Sequence, residues 1–302
     1  SPAGDFHSAV ALAKEADLAI VFVGVSTTSE SEGRDRADLA LYGEQNALVE
    51  AVLAANKNTV VLLNNGSPLE MPWIDKADTV VEAWLPGQQG GHAIARMLMG
   101  HSNPSGKLPL TFPKKLQDNP THDYYPGDDE GDYGEGVFVG YRYYDSKQVE
   151  PLFPFGHGLS YTSFAYSELS IATKGILTKG ISTENSATKH FDPSQFIVSV
   201  KLKNTGSHAG QEVVQLYIED ETSSVPRPLK ELKGFQKIRL VPGESATLEF
   251  ELNLRDLSFY DVKTQAWLAE PGLFKILIGS SSRDIRQQTG FQLINQQGAR
   301  AL

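Results

Sequence analysis

At 302 residues, with 40% hydrophobic and 21% charged positions, the chain has an ordinary globular composition and is long enough for two domains with separate cores. A formal net charge of −10 repels nucleic acid and anionic lipid, and no run approaches the roughly 20 consecutive apolar residues of a membrane span, so nucleic acid and membrane are set aside as partners in favour of neutral ligands. The absence of cysteine removes disulfides, thiolate catalysis and cysteine metal sites together, without fixing a compartment.

The N-terminus, Ser1-Pro2-Ala3-Gly4-Asp5, has no basic segment ahead of a hydrophobic core, so the chain is expected to be either cytoplasmic or already trimmed. Residues 6–16 read as a helix, with Ala9, Leu12 and Ala13 at helical spacing, and run into the apolar strand Leu18-Ala19-Ile20-Val21-Phe22-Val23-Gly24. The charged stretch Thr28-Ser29-Glu30-Ser31-Glu32-Gly33-Arg34-Asp35-Arg36 follows directly. A second helix–strand unit covers residues 45–55 and 59–63. A third has the turn Asn65-Gly66-Ser67-Pro68, a short helix near residues 73–76 and the strand at 79–84. Pro86-Gly87-Gln88-Gln89-Gly90-Gly91 then leads into a helix at 92–99. Strands apolar on both faces and separated by helices imply a parallel sheet covered on both sides. Three parallel strands make a thin sheet with a bare edge, so further strands are expected from a separate polypeptide or a part cut away.

From Asn103-Pro104-Ser105-Gly106 to about residue 160 the chain is rich in Pro, Gly, Asp and Tyr and shows little periodicity, which predicts a long ordered connection, assigned to residues 113–160. Its aromatics, among them Tyr124, Tyr125, Tyr133, Tyr141 and Tyr143, are too dense for a flexible linker. The run Asp128-Asp129-Glu130-Asp132 lacks the alternation and terminal Glu of an EF-hand loop and reads as a hydrated turn. Beyond residue 160 the period becomes 2. Strands are predicted at 164–171, 197–203, 213–218, 229–238, 246–252 and 274–278, with a polar loop at 173–193, which together make an immunoglobulin-like β-sandwich of the fibronectin type III kind over 161–292 and leave a tail at 293–302.

In a parallel α/β sheet, ligands bind at loops leaving the carboxyl ends of strands, so the carboxylates of the 28–36 stretch are placed for acid/base work. The alternative is a solvated turn in which Arg34 and Arg36 neutralise Glu30, Glu32 and Asp35. Elsewhere the plainer reading fits better. His157, between Gly156 and Gly158, suits turn packing, and Trp73 and Trp84 suit core filling beside the sheet. The Gly87 to Gly91 loop lacks both P-loop and Rossmann spacing, and Asn65-Gly66-Ser67, a glycosylation sequon in form, is expected bare.

The motifs Glu30-Ser31-Glu32-Gly33-Arg34-Asp35-Arg36, Trp84-Leu85-Pro86-Gly87-Gln88-Gln89-Gly90-Gly91, Asn103-Pro104-Ser105-Gly106-Lys107-Leu108-Pro109, Phe138-Val139-Gly140-Tyr141-Arg142-Tyr143-Tyr144-Asp145, Phe153-Pro154-Phe155-Gly156-His157-Gly158-Leu159-Ser160-Tyr161 and Leu229-Lys230-Glu231-Leu232-Lys233-Gly234-Phe235 occur in that order. Taken together the chain resembles the C-terminal part of glycoside hydrolase family 3, the retaining β-glucosidases and related exo-acting glycosidases. The resemblance implies an N-terminal (β/α)8 barrel, then an α/β sandwich domain, of which residues 1–112 are the C-terminal portion, then the fibronectin-like domain. The fold class is thus α/β plus all-β. Glu-Ser-Glu-Gly with Met71-Pro72-Trp73 resembles the branch with a PA14 domain inserted in the α/β sandwich, and the chain is expected to begin just after that insertion.

By the same resemblance, Glu32 aligns with the general acid/base, Glu30 is its competitor, and Asp35 and Arg36 support the loop. The nucleophile is an Asp on the barrel, so no residue of this chain takes that role, and about 5 to 5.5 Å should separate the two carboxyl groups. Glu32 would start as an acid with its pKa raised in a covered cleft. No cofactor or metal is implied. The implied partners are a β-glucoside or oligosaccharide and the barrel polypeptide, with a homo-oligomer of the assembled enzyme open, and a secreted or periplasmic place is favoured over the cytoplasm. Within the family, β-xylosidase and β-N-acetylglucosaminidase are alternatives. From another class, so is a non-catalytic carbohydrate-binding or adhesion module.

Overall fold

The structure, a computed structural model, describes residues 6–26, 30–33, 35–125, 131–173 and 195–293. These fall into two compact units, the first within 1–102, 112–122 and 150–152, the second within 103–111, 123–149 and 153–302. The expected connection is therefore divided between the units. Thr28, Ser29 and Arg34 of the charged stretch, residues 128–130 and nearly all of the polar loop at 173–193 lie outside the described residues.

The first unit runs α1 (His7–Glu15), β1 (Ala19–Gly24), α2 (Gln45–Ala55), β2 (Thr59–Asn64), a 3₁₀ turn (Ile74–Lys76), β3 (Thr79–Glu82) and α3 (Gly90–Leu98). Its sheet is parallel in the order β1-β2-β3, with Ala19 opposite Thr59 and Val60 opposite Thr79. Central β2 is β-branched and Leu-rich and is buried on both faces from Thr59 to Leu63. Asn56, just past α2, donates its side-chain amide to Ala13 O and Ala16 O at 2.9 and 2.8 Å, satisfying carbonyls that the end of α1 leaves without helical partners. Strand β1 sits at the edge. It alternates, burying Ala19, Val21 and Val23 and exposing Ile20 and Phe22. With exposed Leu12 they border a groove of about 350 Å³ lined also by Ala9, Ala16 and Leu48. The order β1-β2-β3 leaves both β1 and β3 at sheet edges.

The second unit opens with α4 (Tyr141–Ser146), entered through Gly140 at φ 53°, and continues with β4 (Phe164–Thr173), β5 (Phe196–Asn204), β6 (Gly210–Asp220), β7 (Glu231–Leu240) and β8 (Ser245–Leu252). After these come the single-turn helix α5 (Leu254–Leu257), a hairpin of β9 (Phe259–Asp261) and β10 (Ala266–Leu268), then β11 (Gly272–Gly279) and β12 (Ile285–Leu293). A three-stranded sheet, β4-β5-β8, and a four-stranded one, β12-β11-β6-β7, bury one shared core. The alternation in β5 and β8 sends every second side chain inward. At the centre, Phe291 stacks on Phe274 at 5.5 Å and meets Phe196 edge-on at 5.8 Å.

The six sequence-predicted strands of the sandwich are present. The sequence reading lacked α4, α5, the β9–β10 hairpin and β12. Strand β12 carries Arg286, Gln287, Gln288 and Gln292 among few apolar residues, and α5 is one turn held by a capping box between Asn253 and Asp256, too short for any periodicity to register.

Because Phe291 is buried and packs against two other rings in the shared core, Phe291→Ala should destabilise the second unit by about 3–5 kcal/mol. Equilibrium denaturation followed by sandwich fluorescence measures it, and a loss below about 1 kcal/mol would contradict this packing.

Candidate active site

Parallel pairing brings the carboxyl ends of β1, β2 and β3 to one edge of the sheet, so the loops beginning at Val25, Asn65 and Ala83 leave side by side. At Gly24 a side chain is impossible, since an added Cβ would lie 2.1 Å from Asn64 O. The Gln45 side chain donates to Gly24 O and accepts from Gly24 N–H, both at 2.8 Å, fixing the start of the charged loop against α2.

Within that loop the two glutamates have different surroundings. Glu30 is half-buried. Its Oε1 accepts from Ser67 Oγ at 2.7 Å and its Oε2 from the Gly66 N–H at 3.1 Å. The fit is close enough that a Cβ at Gly66 would stand 3.0 Å from Glu30 Oε1. Glu32 lies two residues on, in a turn that reverses through Gly33 at φ 79°. Its side chain is exposed, and among the described residues no hydrogen bond or ion pair engages its carboxylate. Arg36 donates to Ser67 Oγ at 2.8 Å and to Ala40 O at 3.2 Å, while Asp35 is exposed. Glu30 and Arg36 therefore meet at one hydroxyl. The Ser67 O–H gives its single proton to Glu30 and receives the guanidinium N–H on a lone pair.

Behind this turn is a part of the site that sequence reasoning missed. Asn65 is fully buried, and its Nδ2 donates to Ser67 O at 2.8 Å and to Glu82 Oε2 at 3.1 Å. This leaves no exposed amide for a glycan. Glu82 Oε1 accepts the Trp84 N–H at 2.8 Å, and Asn64 Nδ2 donates to Trp84 O at 3.2 Å. Trp84 itself is held at φ 52°, an unfavourable conformation for a bulky residue, and its ring lies 6.0 Å from Phe112. Burial raises the Glu82 carboxyl from its ordinary 4.5 to about 7, against the opposing pull of the hydrogen bonds from Trp84 and Asn65. The available signal was one carboxylate at the end of the apolar run Thr79-Val80-Val81-Glu82, beside the doublet Asn64-Asn65.

The remaining tempting residues are structural. Trp73 is fully buried and donates Nε1–H to Asn46 at 2.8 Å. The Gly87 to Gly91 loop closes on itself, with Gly90 packed so tightly that a Cβ would lie 2.6 Å from Pro86 Cγ. In the second unit, the His157 ring stacks on Phe153 at 5.2 Å, and burial, with the Lys107 charge, pushes its pKa down. Asp145 is buried between Lys230 at 2.6 Å and Arg283 at 2.5 Å. Among the described residues no group of three or more His, Asp or Glu could hold a metal.

Comparison with known proteins gives the family. The family described as "Glycosyl hydrolase family 3 C-terminal domain" matches residues 3–161, and "Fibronectin type III-like domain" matches 212–282. The chain is 52% identical over 274 residues to thermostable beta-glucosidase B of Acetivibrio thermocellus, covering 90% of this chain and 34% of that protein. It is 44% identical to beta-glucosidase BoGH3A of Bacteroides ovatus, over 95% of this chain and 38% of that one. The crystal structure of a Bifidobacterium adolescentis GH3 beta-glucosidase superimposes with a TM-score of 0.89 at 39% identity, covering all of this chain and 43% of the other. The chain thus spans little more than a third of the length of these curated relatives.

Glu82 also yields a pH prediction. An acid whose folded pKa is raised binds more protons folded than unfolded, so its contribution is fully present below 4.5 and is lost as pH rises through about 7. Glu82→Gln should therefore improve stability at pH 8 relative to its effect at pH 5. The double difference should be on the order of 1–2 kcal/mol after allowance for the side chain's partial access to water. Denaturant unfolding at both pH values measures it, and identical effects at the two would refute the raised pKa.

Proposed function

The chain belongs to glycosyl hydrolase family 3, and from that premise we propose that it is the C-terminal part of a retaining β-glucosidase that removes terminal β-D-glucosyl residues. In this reading Glu32 is the general acid/base. It protonates the glycosidic oxygen as the leaving group departs, then takes a proton from the water that cleaves the glycosyl-enzyme intermediate. The nucleophilic Asp belongs to the N-terminal barrel, outside this chain. The observation that carries the assignment is the division of labour on one loop. Both oxygens of Glu30 are occupied by the Gly66–Ser67 turn, while Glu32, held two residues away, remains exposed at the carboxyl edge of the sheet. Arg36 and Glu30 keep that loop in place, and Asp35 is assigned a supporting role. The relatives, beta-glucosidases, support the sugar class.

The same reading names what covers the edge of β1. The groove beside Leu12, Ile20 and Phe22 would be filled by the N-terminal part of the enzyme, adding backbone pairing along Ala19–Gly24 and apolar cover over Ile20 and Phe22. The length of the relatives beyond the region matched here supports such a companion.

Two experiments test the proposal. The isolated chain should leave aryl β-glucosides intact and gain activity when its N-terminal complement is supplied, so turnover by the chain alone would refute the divided site. In the assembled enzyme, Glu32→Ala should lower kcat/KM by about 10²- to 10⁴-fold for glucosides with poor leaving groups and by much less for activated aryl glucosides, whose departure needs little protonation. Azide should restore its turnover on activated substrates by replacing activated water. Azide rescue of Glu30→Ala but not of Glu32→Ala would reverse the two roles.

A further inference from the structure

We propose that Asn65 and Glu82 are positioning residues for proton transfer: by holding the Gly66–Ser67 turn from behind, they set where the loop presents the Glu32 carboxyl. The inference rests on the reading of Glu32 as acid/base and extends it to residues that never touch the sugar.

The argument is the continuity and direction of the hydrogen bonds. Starting from the strained backbone after β3, the Trp84 N–H is accepted by Glu82 Oε1 at 2.8 Å, and Glu82 Oε2 accepts from Asn65 Nδ2 at 3.1 Å. The same Nδ2 donates to Ser67 O at 2.8 Å, so Asn65 gives one amide proton to the turn and the other to Glu82. Gly66 N–H and Ser67 Oγ then hold the two oxygens of Glu30, and Arg36 closes the far side of the loop on Ser67 Oγ. Glu32 lies between the anchors Glu30 and Arg36. Every link from β3 through β2 to the loop after β1 is thus polar and directional.

A purely structural account explains these residues poorly. At the end of β3 an apolar side chain would complete the run Thr79-Val80-Val81, yet the position carries a carboxylate. Asn65 is fully buried and leaves its Oδ1 without a hydrogen-bond partner among the described residues, which a plain core position would avoid. Polar groups buried at such cost, next to a bulky residue at positive φ, are the pattern expected where geometry is being fixed.

The test uses the full-length enzyme and a series of glucosides graded by leaving-group pKa. A misplaced proton donor slows poor leaving groups selectively, whereas general damage to the fold lowers all substrates alike. Asn65→Ala and Glu82→Gln should each cost about 10- to 100-fold in kcat/KM on alkyl glucosides, the scale of an ångström-sized displacement, and under about 3-fold on the most activated aryl glucoside. Trp73→Phe, a core change on the same unit, should show no such selectivity. Equal losses across the series, or none, would overturn the proposal. Glu82→Gln, nearly isosteric, carries the test if Asn65→Ala does not fold. Glu32→Ala is measured alongside. If it too lacks leaving-group selectivity and azide rescue, the acid/base reading has failed and the positioning role falls with it. If it shows both while the Asn65 and Glu82 variants do not, the positioning role alone is refuted.

Discussion

The grip of the Gly66–Ser67 turn on the Glu30 carboxylate organises the first unit. A carboxylate accepting a backbone N–H at 3.1 Å and a hydroxyl at 2.7 Å is a charge-assisted clamp between segments 36 and 37 residues apart in the chain. Among the described residues the loop after β1 is otherwise held nearer its ends, by Gln45 on Gly24, by the Val25 N–H on Asn64 O, by Arg36 on Ser67 and Ala40 and by the Glu70 N–H on Leu39 O. The clamp also explains Gly66, whose missing side chain leaves room for Glu30 to approach. Loops at the carboxyl end of a parallel sheet are free to vary, and a polar clamp between neighbouring loops is how such a site becomes rigid without apolar packing.

The second unit uses the same device for a structural end. Asp145, at the close of the Phe138–Asp145 motif, is buried against Lys230 and Arg283, and the Tyr141 hydroxyl accepts the Leu232 N–H at 2.7 Å. Motifs far apart in the chain thereby meet in one network of charges, where removing any member would strand another in a poorly solvated place. The resemblance to the family was carried by both kinds of motif. The motif containing Glu30, Glu32 and Arg36 lies at the candidate site, and that beginning at Trp84 reaches it through the Trp84 N–H on Glu82. The others hold turns and junctions together.

What could be read in advance follows from the range of each interaction. Helices and strands of the first unit, and the alternating strands of the sandwich, carry their own period, so α1, β2, β5 and β8 fall within a residue or two of the sequence expectation. Strand β3 ends at Glu82, two residues before the apolar pattern does, because the backbone turns to positive φ at Trp84, and a side-chain pattern does not report a dihedral angle. Glu30 and Glu32 are chemically identical in sequence, and their difference depends on which oxygen acceptors the Asn65–Ser67 turn can reach, a matter of tertiary placement. Glu82 was unreadable for the same reason, since its environment is made by Asn65, from a different strand end.

The place of β1 at the edge of its sheet has a consequence for the chain at high concentration. Among the described residues, β1 has a partner strand only in β2, so its other side, flanked by Ile20 and Phe22, offers a ladder to any extended segment, a duplicate of itself included. At high concentration that edge favours self-association of the chain.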